Sequence, residues 1–126
     1  MKRLWLGVGI LTAFFALSLW NGLAVGKCHE ALALQAEQAQ AAALSGDLQA
    51  GTQLLRQAQQ RWDARWKLMA VITDHEPMED IDGMFSQVRA YGAAGQREAF
   101  AAGCAWLAQL LEAVGEAHTP MWWNLL

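Results

Sequence analysis

Proline, cysteine and charge are all scarce in this chain, and each scarcity narrows what it can be. Only two prolines, Pro77 and Pro120, occur in 126 residues, so little interrupts helix over most of the length. Two cysteines, Cys28 and Cys104, are too few for a disulfide scaffold and lack the spacing of a zinc site. Their even number permits one bridge if the domain lies outside the cytoplasm. Charged residues are 17% of the chain, with 9 Lys and Arg against 12 Asp and Glu. A net charge of -3 without clustered basic residues offers little to neutralise phosphates, which excludes a nucleic-acid binder. Apolar residues, at 55%, are too abundant for a disordered segment, and the length suits one modest domain plus an anchor.

The longest uncharged run extends from Leu4 to Val25. As a helix it would rise about 33 Å, matching a hydrocarbon core about 30 Å thick. Trp5 and Trp20 stand near its ends, where indoles favour the headgroup region, and Lys2, Arg3 and Lys27 close it with charges that reach water. Residues 1–26 are therefore expected to form a transmembrane anchor. The alternative is a signal peptide cut before Lys27, with Ala24 and Gly26 as the small residues at the cleavage site, but its apolar core is longer than such peptides carry. The basic flank at Lys2 and Arg3 outweighs Lys27 and places the N-terminus in the cytoplasm and the remainder outside. Ser18, Gly22 and Gly26 recur every four residues and form a small-residue face through which two anchors would pair as a homodimer.

Residues 27–118 read as a helical bundle, and 119–126 as an apolar tail. Cys28 to Leu44 is built from good helix formers without Pro or Gly. Gly46, in the left-handed conformation, closes that helix, and Asp47 caps the next. The second helix is expected from Leu48 to about Thr73, with Leu55, Ala58, Trp62, Trp66, Met69 and Thr73 on one face. Pro77 suits the first turn of a brief third helix with a stripe of Ile81, Met84, Phe85, Val88 and Tyr91, ending at Gly92 and Gly95. A fourth helix, Gln96 to about Ala117, turns Phe100, Cys104, Leu107, Leu110, Leu111 and Val114 inward. The expected core aromatics are Trp62, Trp66, Phe85, Phe100 and Trp106. Short loops between long helices imply antiparallel neighbours, so the fold expected is all-α, an anchor followed by an up-down bundle of three to four helices. If the helices alternate away from and towards the bilayer, Trp122, Trp123 and Leu126 end at its surface or fold back over the bundle.

Chemistry is harder to find. The densest polar cluster holds Asp74, His75, Glu76, Glu79 and Asp80, oxygen and nitrogen donors suited to a divalent cation. It lacks the alternating acids and central glycine of a calcium loop, and acids at a helix start complement the helix dipole, so capping is the simpler account. His29 and His118 have no carboxylate or thiol at ligand spacing and read as helix-end residues. Ser45 and Ser86 do not sit in a strand-to-helix elbow, and no glycine-rich phosphate loop occurs. Arg61 and Arg65 beside Trp62 and Trp66 read as solvent-facing neighbours of buried indoles.

Several segments together resemble a family of small single-pass membrane proteins of Gram-positive bacteria, known only as a domain of unknown function. They are Met1 to Leu6, the Trp62 to Trp66 stretch, Asp74-His75-Glu76 followed by Ile81-Asp82, the Gly95 turn, and Asn124-Leu125-Leu126. This chain is richer in Ala, Gly and Trp. The resemblance implies the same architecture and no catalytic residue. The function expected is a non-enzymatic interaction or structural module tethered at the cell envelope, with no cofactor and with the lipid bilayer and a further protein as partners. The rival reading is a ligand or metal sensor using the acidic loop around His75.

Overall fold

An unbroken run of helix formers produces the longest element. In the computed structural model the first helix, α1, spans Lys2–Leu44 without interruption, about 64 Å at 1.5 Å per residue. The structure describes residues 1–69 and 75–118, apart from the side chains of residues 68, 69, 75 and 118. Three more helices follow: α2 at Leu48–Met69, α3 at His75–Ala93 and α4 at Arg97–His118. The end expected for the second helix at Thr73 and the apolar tail from residue 119 both lie outside the described residues.

Two details go beyond the expectation. The apolar run and the first helix of the bundle are one helix, because neither Gly26 nor Lys27 interrupts the backbone hydrogen bonding. A single helical glycine costs only about 1 kcal/mol relative to alanine. The third helix is also longer than expected, at 19 residues, with Glu76 in its first turn complementing the dipole.

Both hairpin turns follow from a glycine that adopts positive φ at little steric cost. Gly46 and Gly95 have φ of 97° and 72°. At the first turn, Gly46 N–H donates to Ala43 O and Asp47 N–H to Ala42 O; at the second, Gly95 donates to Gly92 O and Gln96 to Tyr91 O. This is the paired-bond closure that satisfies the last carbonyls of a helix. Asp47 Oδ1 then accepts from Ala50 N–H at 3.0 Å and starts α2.

These turns set an up-down order in which α1 packs on α2 and α4, and α3 packs on α4 and, less extensively, on α2. The core is built from Leu32, Leu55, Trp62, Phe85, Phe100 and Leu107 with their neighbours, each almost wholly buried. Alanines at 33, 36, 39 and 43 give α1 a flat inner face, which brings its neighbours close. Gly51 shows how close: a Cβ there would lie 2.9 Å from Ala39 O. The other half of α1 has no such neighbours. From Met1 to Trp20 every residue is exposed, Phe14 and Phe15 included.

Candidate functional site

The candidate site is the junction where the apolar half of α1 becomes the packed half. An uncharged window within α1 has a mean hydropathy of 1.8 and none of it is buried, so this segment is long and apolar enough to be a membrane span or a signal sequence. Trp5 and Trp20 are exposed near its ends, as are Lys2, Arg3 and Lys27. Beyond Lys27 the same helix enters the bundle.

Close approach at the entry depends on Gly115 of α4, where a Cβ would lie 3.0 Å from His29 Cβ and 3.5 Å from Gly26 O. Around this contact Leu23, Lys27 and Glu30 of α1 face Glu112 and Glu116 of α4 across a cavity of about 320 Å³. Gly26 therefore belongs to the α1–α4 contact, while Ser18 is fully exposed and Gly22 half-buried. The small-residue face expected for pairing is thus divided between the free and the packed halves of α1.

His29, expected at a helix end, lies inside α1 and is 1% exposed. Its Nδ1 is 2.9 Å from Val25 O, and its ring meets Trp62 edge-on at a centroid distance of 5.8 Å. Trp62 stacks in turn on Trp66 at 6.4 Å and tilts against Phe85 at 6.3 Å, a geometry that adds to the burial of the rings. Trp66 is half-buried and packs on the core. Phe100 is fully buried, but Trp106 is 52% exposed on the outer face of α4 and not in the core. The Trp62 Nε1–H is buried without a hydrogen-bond acceptor among the described residues.

A buried polar group that the sequence reading missed ties α1 to α2. Gln35, 6% exposed, donates through Nε2 to Leu54 O at 3.2 Å and to Gln57 Oε1 at 3.4 Å. Its Oε1 accepts from Arg61 Nη1 at 3.1 Å. The one available signal was a glutamine at core spacing from Leu32 and Ala39.

Of the acidic cluster, Glu76, Glu79 and Asp80 are exposed on the first turns of α3, whereas Asp74 and the His75 side chain lie outside the described residues. Among the described residues no group of three or more His, Cys, Asp or Glu is placed to hold a metal ion. The two thiols are free, Cys28 half-buried and Cys104 buried, and burial pushes the Cys104 thiol up to about 12.

Residues 21–125 match the family described as Domain of unknown function (DUF4363). The chain belongs to this family. The DUF4363 match takes in the junction and the whole bundle but leaves out residues 1–20, the exposed part of α1. No curated protein and no solved structure matches the chain.

Proposed function

We propose that this DUF4363 protein is a non-enzymatic, membrane-tethered helical module at the cell envelope of a Gram-positive bacterium. Its N-terminus lies in the cytoplasm and its bundle outside, where it engages a protein partner. The observation that carries this reading is the continuity of α1. One helix offers about 25 Å of apolar, unpacked surface from Leu4 to Trp20 and then supplies an inner wall of the bundle.

The same continuity favours a retained anchor over a cleaved leader. Cutting before Lys27 would remove Val25 O, the partner of His29, and Gly26, which packs against Gly115. The bundle would lose part of its own entry contact. Ser18 is exposed and Gly22 half-buried, so pairing of two anchors would use the exposed side of α1 around these residues.

Orientation is tested by placing a thiol in the exposed α1–α2 turn. A Ser45→Cys variant on a Cys28→Ser background is treated with a membrane-impermeant maleimide in intact cells. Labelling before lysis is expected, and labelling only after lysis would reverse the assignment. Gly22→Ile is expected to lower the dimer fraction in micelles; an unchanged fraction would remove the anchor as a pairing surface.

A further inference from the structure

We infer that the groove between α2 and α3 binds a short peptide with free termini, its carboxylate held by Arg56 and Arg89 and its amine by Asp63. This inference concerns the bundle alone and stands whether or not α1 crosses a bilayer.

The groove lies on the outer side of the α2–α3 pair, between their contact at Thr52 and Gly92 and the packing of Trp62 on Phe85 beneath it. At the end next to the hairpin turns they meet so closely that a Cβ on Gly92 would lie 2.6 Å from Thr52 Cγ2. From that stop the helices border an open cavity of about 690 Å³, within the range of about 300–1,000 Å³ typical of small-ligand sites. Leu55, 1% exposed, lines it from α2 and the exposed Ala90 from α3.

Charge is ordered along this groove. Arg56 of α2 and Arg89 of α3 line it from opposite walls near the closed end, and Arg89 Nη1 donates to Gln59 Oε1 at 3.1 Å. That bond ties the α3 guanidinium to the α2 wall one turn from Arg56. Neither guanidinium is engaged in an ion pair among the described residues. Planar guanidiniums suit a carboxylate, which can accept two parallel N–H bonds. Asp63 lies seven residues beyond Arg56 on the same helix, two turns or about 10.5 Å further along the same face.

A dipolar ligand matches this order. Three extended residues span about 10 Å, which carries a carboxylate to the arginine pair and an amine to Asp63. Between the two ends, Gln59, Gln60 and Ser86 supply the donors and acceptors that a peptide backbone requires.

The test is calorimetric titration of the full chain in nanodiscs with trialanine, N-acetyl-trialanine, trialanine amide and acetate. Trialanine is expected to give saturable heat, and blocking either terminus to weaken binding about tenfold, the usual scale for losing a charge-assisted bond. Arg89→Gln should weaken trialanine by a similar factor. Asp63→Asn should weaken trialanine while leaving N-acetyl-trialanine unchanged, a pattern that unfolding cannot produce. Absence of saturable heat, or equal binding of trialanine and either blocked peptide, overturns the inference. So does acetate binding as tightly as trialanine, which would reduce the site to a simple anion contact.

Discussion

Cys104 reports on the core because its chemistry depends on being buried. Its thiol titrates at about 12 against an ordinary 9.0, and the cause is desolvation of the thiolate. The folded state holds this proton more tightly than the unfolded state does. Its contribution to stability is therefore complete below pH 9 and lost as pH rises towards 12. Melting temperature should fall across that window, and the Cys104→Ala variant should fall less steeply. Parallel slopes would mean that the thiol is not buried as described. Native-state labelling should accordingly modify Cys28 well before Cys104.

Trp62 makes a second residue-scale prediction, since it fills the centre of the aromatic cluster with a buried N–H that has no acceptor among the described residues. Trp62→Ala should cost about 3–5 kcal/mol by opening a cavity. Trp62→Phe should cost much less, because it keeps an aromatic body while removing a donor whose burial costs about 1–3 kcal/mol. Chemical denaturation of both variants checks the ordering, and equal losses would show that the N–H is satisfied.

At the scale of elements, the same substitution should act with opposite sign at two helical glycines. Gly83 on α3 is exposed, and a Cβ added there would meet nothing within 4 Å, so Gly83→Ala should stabilise by about 0.5–1 kcal/mol through the unfolded chain. Gly51 on α2 lies against the α1 backbone, and Gly51→Ala must push the two helices apart at a cost of about 1–3 kcal/mol. Thermal melts that move both variants the same way would contradict the α1–α2 contact.

Which elements were legible in the sequence follows from what each residue signals. Gly46 and Gly95 marked the hairpin turns because left-handed backbone favours glycine, and the apolar stripe of α3 marked its buried face. The passage of α1 through Lys27 was hidden, since a change of polarity suggests a boundary where the backbone has none. Trp106 was misplaced because an aromatic residue suggests burial whatever its angle on the helix, and it lies well away from the face carrying Cys104 and Leu107. The junction was half legible: the apolar run, Lys27 and Gly26 stood out, but not their partner Gly115, which is distant in sequence. The α2–α3 groove could not be read at all, because Arg56, Gln60, Asp63 and Arg89 look like any solvated helix surface.

For the whole molecule, the proposed tether has one helix pass from lipid into water. Its packed half is held by the Ala-rich face, the Gln35 bonds and the His29–Trp62 contact. Its free half exposes apolar side chains that water would not tolerate as a permanent surface. In the proposed tether, burying that half in lipid would resolve the conflict without disturbing the bundle. The most direct measurement is alkaline carbonate extraction of membranes carrying the native chain, with the mass of the extracted product determined. The account predicts an intact chain, including residues 1–26, that stays in the membrane pellet. A mature product beginning at Lys27, or an intact chain released to the supernatant, would contradict it.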